Sequence, residues 1–313
     1  MIVRDRPSAL KLFLIVRGSI LPRIRVTLIA NTVFAALVAW YHGTMFDHKV
    51  ILTTIPFTLI GLPLAIFLGF RNTAAYDRYW EGRKLWGELV LRSRNLSRQC
   101  QTMISSDVPA RASLGLADVR VRMVCRTIAF CHALRQQLRD QREPADLQSL
   151  LRPDEWAAAC NASNPSDYLM QQMGHDLAQC VKQGRIDTIL AVQLDNSISA
   201  MVGAGASCER IRNTPIPFSY SLLLHRTAYL YCFLLPFGLV DSIGFMTPFV
   251  VAIVAYTFFG LDALGDEIEE PFGEDANDLP LSAMCRAIEI NLRESLQDEN
   301  LPAPIKPHDY LLT

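Results

Sequence analysis

Hydrophobic and polar positions divide the chain into two apolar ends and a more polar middle. Apolar residues are concentrated in 26–70 and 220–264, whereas residues 84–215 place apolar positions at the spacing of amphipathic helices. No alternation of apolar and polar residues is long enough to predict a sheet. The pattern predicts an all-α membrane protein with a water-exposed helical domain inserted between two membrane hairpins.

The first hairpin is predicted from two apolar runs joined by a polar link at 42–49. Residues 26–41 form the first span, which ends in an interfacial Trp-Tyr pair. Residues 50–62 form the return span. Because proline lacks a backbone donor, Pro56 and Pro63 should bend or break this segment, and we expect a new helix to begin near Pro63.

The second hairpin is predicted from the apolar runs 218–235 and 245–264. His225 and Arg226 lie within the first of these runs and are costly in lipid, so their face should meet protein or water. Lys and Arg are concentrated before the first span and after the second. The positive-inside rule therefore places both termini and the middle region in the cytoplasm.

Four predicted spans are too few to enclose a conduit within one subunit, so a conduit would need a ring of subunits with cyclic symmetry. The predicted segments are an amphipathic lead at 1–25, a transmembrane hairpin at 26–70, a cytosolic helical domain at 71–215, a second hairpin at 216–264, and an acidic segment with a C-terminal helix and tail at 265–313.

One stretch, residues 61–83, changes from apolar to charged without an obvious turn. Leu62, Ile66 and Phe70 lie at i, i+4 and i+8 within it, so a helix would place them in one stripe that rises about 6 Å per step. Such stripes usually pack in a core, and the residues alone favour that interpretation. The alternative is that the stripe lines a narrow pore.

Composition narrows the class of protein. Half of the residues are hydrophobic, 19% are charged and the mean hydropathy is +0.19, as expected for a chain partly in lipid. The net charge of −1 provides no basic field for nucleic acid. Eight cysteines without metal-binding spacing are typical of reduced core cysteines in a cytoplasmic domain, and the N-terminus does not have the pattern of a cleaved signal peptide.

The sequence lacks common catalytic motifs, so it does not predict an enzyme. The sequence contains no P-loop, GxSxG, HExxH or glycine-rich dinucleotide turn. A membrane-anchored signalling or metal-dependent enzyme scaffold is the alternative of another class, because Asp262 and Asp266 with the acids that follow could mimic a phosphotransfer site. Three groups of arginines are interpreted as solvated helix faces: Arg92, Arg94 and Arg98; Arg120, Arg122 and Arg126; and Arg135, Arg139 and Arg142.

Several strings, taken together and in this order, resemble the bestrophin family, and more narrowly its bacterial members. The similarity is weakest in 103–180. The strings are AIFLGFRN at 65–72 with TAAYDRYWEGRKLWG after it, NTPIPFSYSLLLHRTAYLY, and EEPFGEDANDLP followed by AIEINL.

This resemblance implies a homopentameric ion channel with a single axial pore in the bacterial inner membrane. In that family three residues per subunit form a hydrophobic neck, and here they match Leu62, Ile66 and Phe70. The resemblance therefore reverses the preference for core packing. One apolar residue forms a second constriction at the cytosolic exit, and it matches Ile189, with Ile186 as the other choice of register.

The permeant ions implied by the resemblance are monovalent. Its bacterial members suggest cations, so we expect a cation channel. The alternative is a channel for chloride or other anions, which calcium could gate. No cofactor is required. Animal members bind calcium at the matching acidic segment, which makes Glu270, Glu274, Asp275 and Asp278 candidate ligands for a divalent cation, but Ala276 and Asn277 replace two acids. A structural ionic belt is the favoured role for these acids.

Overall fold

The computed structural model describes residues 1–4, 8, 15–16, 18–42, 44–45, 48–49, 53–143 and 145–313. Much of the predicted amphipathic lead, and the beginning of the predicted return span at 50–52, lie outside these residues. The described chain is almost entirely helical and forms two compact units. We call them the apolar unit, residues 5–79 and 215–270, and the polar unit, residues 1–4, 80–214 and 271–313.

Ten α-helices are described, together with a two-stranded antiparallel ribbon of β1 (Thr44–Met45) and β2 (His48–Lys49). Two 3-10 turns, Ala112–Ala117 and Gly244–Met246, complete the described elements. The helices are α1 (Leu21–Trp40), α2 (Ile55–Met103), α3 (Val119–Leu138), α4 (Ala145–Gln148), α5 (Pro153–Asn161), α6 (Pro165–Lys182), α7 (Thr188–Asn213), α8 (Phe218–Ile243), α9 (Thr247–Glu269) and α10 (Leu281–Ser295).

Three stretches of the described helices are long and apolar enough to cross a membrane, judged by length and composition. They are Leu21–Trp40, Ile55–Met103 and Phe218–Glu269. The third stretch contains two helices, α8 and α9, with the 3-10 turn between them. The structure therefore supports a helical membrane protein, and the four-span count stays a prediction.

The apolar unit is built from α1, the first half of α2, α8 and α9. Helix α1 packs against α9 and α8, where apolar residues from all three exclude solvent. Phe57 of α2 fits against Gly238 of α8 so closely that an added Cβ would lie 2.3 Å from the phenyl ring. A residue without a side chain at 238 is therefore what allows the ring into the core.

The predicted break near Pro63 is wrong. Helix α2 continues without interruption from Ile55 to Met103, with Pro63 inside it. Proline costs about 3 kcal/mol within a helix because it lacks a donor and crowds the preceding turn. Here the next residues, Leu64 and Leu68, are buried against α8, and in a membrane further unpaired backbone groups would cost more than a proline within the helix. The stripe of Leu62 is thus part of a single long helix.

The polar unit is organised around α3, which packs against α6, α7 and α10 and is buried along most of its length. Its N-terminus is capped by Asp118, whose carboxylate accepts a hydrogen bond of 2.8 Å from the Arg120 amide. The interpretation of the arginine groups as solvated faces is wrong for Arg120, Arg126 and Arg135, which are buried. Carboxylates pair with all three: the capping Asp118 with Arg120, Glu155 with Arg126 and Asp146 with Arg135.

Candidate pore-lining site

The predicted neck residues form an exposed stripe on α2. Leu62, Ile66 and Phe70 are 67%, 47% and 63% exposed. The opposite side of the helix is buried, since Leu64 and Leu68 pack against α8 in the apolar unit. The single chain therefore does not bury the stripe in its own core, and its three side chains are available to line a pore.

The stripe is longer than the sequence reasoning recognised. Leu59 and Ile55, one and two turns nearer the start of α2, are 69% and 66% exposed. A helix turns by 100° per residue, which places both within about 60° of Leu62. The signal was the same three- and four-residue spacing, continued toward the N-terminus, but a helix break near Pro63 would have separated Leu59 and Ile55 from the stripe.

Arg71, the residue directly after Phe70, is buried and forms ion pairs that join α2 to α9. The Arg71 side chain is 1% exposed, and its Nη1 donates to Asp262 Oδ1 at 2.8 Å. Its Nη2 also pairs with Asp266 and lies 3.8 Å from Glu269 Oε2. Arg71 lies about 140° around the helix from the centre of the neck stripe, so this anchor orients the stripe away from α9.

Two further contacts extend this anchor. His225 Nδ1 of α8 lies 2.7 Å from Asp262 Oδ2, which is the protein contact expected for the polar face of that helix. Gly265 permits the close approach of α9, because a Cβ there would lie 2.5 Å from Asn72 Oδ1. The Asp262 and Asp266 carboxylates are thus engaged by a buried arginine, which is a structural role for the acids considered as a phosphotransfer site.

The two candidates for the cytosolic constriction differ sharply in exposure. Ile189 lies in the first turn of α7 and is 74% exposed, whereas Ile186 precedes the helix and is 5% exposed. Asp187 caps this helix by accepting a hydrogen bond of 2.8 Å from the Ile189 amide. Ile189 is therefore the one whose side chain is free to form a constriction. Val192, three residues further and 57% exposed, shares its side of α7 and was missed.

The acidic segment makes contacts within the polar unit. Glu274 accepts a hydrogen bond of 2.9 Å from Gln141 and lies 3.5 Å from Arg139 Nη1, and Asp278 accepts one of 2.7 Å from the Asp275 amide. Glu270 belongs to the apolar unit. In the part of the chain that the structure describes, no three His, Cys, Asp or Glu side chains are grouped closely enough to hold a metal ion.

Comparison with known proteins identifies the family. A family model described as Bacterial/Fungal Bestrophin protein matches residues 1–294. The chain is 42% identical over 300 residues to a voltage-dependent anion channel-forming protein of Mesorhizobium japonicum, covering 95% of this chain and 92% of that protein. It is 38% identical over 314 residues to the voltage-dependent anion channel-forming protein YneE of Escherichia coli K12, covering both chains fully.

Comparison with solved structures indicates the same family. A crystal structure of a mutated form of a bacterial bestrophin homologue from Klebsiella pneumoniae matches with a TM-score of 0.81 and 36% sequence identity. The match covers 88% of this chain and 99% of that chain. The apolar helices and these relatives together define a helical membrane protein of the ion-channel class, and not an enzyme. The chain belongs to the bestrophin family, as the sequence resemblance indicated.

Proposed function

We propose that this chain is one subunit of a homopentameric channel for monovalent ions, with a single pore on the symmetry axis. Each subunit would cross the bacterial inner membrane four times, through α1, the first part of α2, α8 and α9, with both termini in the cytoplasm. The observation that carries the proposal is the exposed stripe of Leu62, Ile66 and Phe70 on a helix whose other side is packed.

Such a neck would control conduction by its hydration. Rings of Leu, Ile and Phe offer no oxygen ligands to replace the water around an ion. A narrow ring empties of water and blocks conduction, whereas a slightly wider ring lets hydrated ions pass with modest selectivity. The neck therefore acts as a hydrophobic gate, and charges outside it must supply most of the preference between anions and cations.

We propose anions as the main permeant ions. The expectation of a cation channel is not supported by the relatives, whose names describe anion channel-forming proteins. Ile189 would form a second, cytosolic constriction. The acidic segment would serve as a structural ionic belt through contacts such as that of Glu274 with Arg139, without a cofactor being required for conduction.

The ion preference is tested by the reversal potential of the purified protein in a planar bilayer under a KCl gradient. We expect a reversal potential closer to that of chloride than to that of potassium, because the relatives are named for anions. A value near the potassium potential would overturn the anion assignment and leave the channel proposal in place. Protein that reconstitutes but carries no current under any gradient would count against the channel itself.

The subunit number is tested by limited chemical cross-linking of the protein in detergent. A closed ring of five identical subunits should give a ladder that ends at five bands, because cyclic symmetry presents the same contact to each neighbour. Mass photometry of the untreated sample is the control for random collisions. A ladder that stops at two or four would contradict the pentamer.

A further inference from the structure

The exposed stripe on α2 continues beyond the neck and becomes polar. Thr73 and Asp77 follow Phe70 on this helix, and both are exposed. At 100° per residue, each lies within about 20° of the mean direction of Leu62, Ile66 and Phe70. Asp77 is about 10 Å further along the helix axis than Phe70. Whatever surface the neck residues line, the Asp77 carboxylate borders the same surface.

The other ionisable residues of this part of the helix point elsewhere. Between Ile55 and Tyr79, α2 carries two arginines besides Asp77, and both are turned toward α9. Arg71 pairs with Asp262, and the Nε of Arg78 donates to the carbonyl oxygen of Glu269 at 3.0 Å. Between Ile55 and Tyr79, the side of α2 that carries the neck residues therefore has one carboxylate, that of Asp77, and no basic side chain. Asp77 has no hydrogen-bond or ion-pair partner among the described residues.

We propose that Asp77 sets the relative permeability of anions and cations, as a ring of carboxylates at one mouth of the neck. This inference rests on the proposed pore lining by α2. The apolar neck has no ligands of its own, so the nearest charge on the same side of α2 influences which ions are concentrated at its mouth. A separation of about 10 Å is close to the Debye length of about 8 Å at physiological salt, so screening weakens but does not remove this effect.

The sign of the effect follows from the charge. Carboxylates repeated around an axis give a negative potential that concentrates cations and repels anions. Asp77 therefore restrains anion permeation in a channel whose relatives are named for anions. Removing the carboxylate should raise the permeability of chloride relative to potassium, whichever ion dominates in the wild-type protein.

The test uses the full chain reconstituted in bilayers, with the chloride-to-potassium permeability ratio as the readout. Asp77→Asn should raise this ratio roughly sevenfold, since a change of about one kT in local potential acts about threefold on each ion and in opposite directions. Asp77→Lys should raise it further, and both shifts should shrink at high salt. Asp154→Asn, an exposed carboxylate of the polar unit, is the matched control and should leave the ratio unchanged.

A second variant separates a charge effect from a structural one. Asp77→Cys can be modified with a negatively or a positively charged thiol reagent. The negative reagent should return the ratio toward the wild-type value, and the positive reagent should raise it further. The native cysteines give a low background, because six of them are buried and two are half-buried. The same reagents applied to wild-type protein measure that background.

The outcomes distinguish this inference from the function on which it rests. An unchanged ratio in Asp77→Asn, or reagent effects that do not depend on sign, would overturn the role of Asp77 while the channel stands. A wild-type protein that does not conduct would overturn both. A ratio that changes in Asp154→Asn as much as in Asp77→Asn would assign the effect to overall charge and would overturn the role of Asp77.

Discussion

Replacing Leu62, Ile66 and Phe70 together by alanine should raise ion flux through the reconstituted protein by roughly tenfold or more. Shortening the three side chains widens the proposed neck and lowers the cost of keeping it hydrated, and each reduction of about 1.4 kcal/mol in the barrier gives a tenfold faster rate. The three side chains are exposed in the single chain, so truncation leaves the packing of the apolar unit intact. Flux is measured by ion efflux from liposomes at a fixed protein-to-lipid ratio.

The matched control removes a similar apolar stripe from another helix. Val26, Ile29 and Val33 of α1 are 72%, 62% and 54% exposed and lie at comparable spacing. Their triple alanine variant should leave flux at the wild-type level, because these residues have no proposed place on the pore. Unchanged flux in the α2 variant, with normal folding and insertion, would contradict the neck. Equal increases of flux in both variants would show that the substitutions loosen the protein in general, and would also contradict a specific role of the neck.

Hydropathy predicted much of the apolar unit, because lipid imposes a simple requirement on sequence. A span must be long, apolar and helical, and a window of residues can show all three. The stripe of Leu62, Ile66 and Phe70 can also be read from the sequence, because its residues are only four positions apart. The error near Pro63 shows the limit of local reasoning. Whether Pro63 interrupts the helix depends on the burial of Leu64 and Leu68 against α8, which lies more than a hundred residues further along the chain.

The polar unit was less predictable because its charges pair over long distances in the sequence. Arg126 resembles any arginine on a solvated helix face, yet its partners Glu155 and Asp176 lie 29 and 50 residues further along the chain. The choice between Ile189 and Ile186 also needed coordinates, because both are apolar residues near the start of a helix and only their exposure separates them. Asp77 also carried a signal in the sequence, because an acid seven residues after Phe70 continues the helical spacing of the predicted neck stripe.

Replacing Arg126 by methionine should be among the most destabilising single changes in the polar unit. Its guanidinium is 2% exposed, pairs with Glu155, and donates to Asp176 Oδ2 at 2.6 Å and to the carbonyl oxygen of Gln172 at 3.1 Å. Removing it leaves the 3%-exposed Glu155 carboxylate without its main partner, which typically costs about 3–5 kcal/mol. Thermal unfolding followed by circular dichroism should show a drop in Tm on the order of 10 °C.

Two variants determine whether the buried charge is the cause. Arg126→Met combined with Glu155→Met removes both charges and should recover part of the loss, because no carboxylate is then buried alone. Arg152→Ala, whose guanidinium is 46% exposed and 3.9 Å from Glu155, should change Tm little. A double variant as unstable as the single one would show that lost packing, and not the unpaired charge, dominates.

The same cluster predicts a pH dependence with a definite sign. Burial by itself would raise the pKa of the Asp176 carboxyl, but hydrogen bonds and charge from Arg122 and Arg126 outweigh it, so that pKa lies below its usual value. A depressed folded-state pKa adds stability above the unfolded pKa of about 3.9, and this stability is lost as the pH falls through the folded value. Without Arg126 the depression is smaller, so the variant should lose its remaining Asp176 contribution at a higher pH than the wild-type protein. The wild-type protein therefore loses more stability than the variant as the pH falls, and acid titrations of Tm for the two proteins should converge below about pH 5. Parallel curves would exclude Arg126 as the source of the shift.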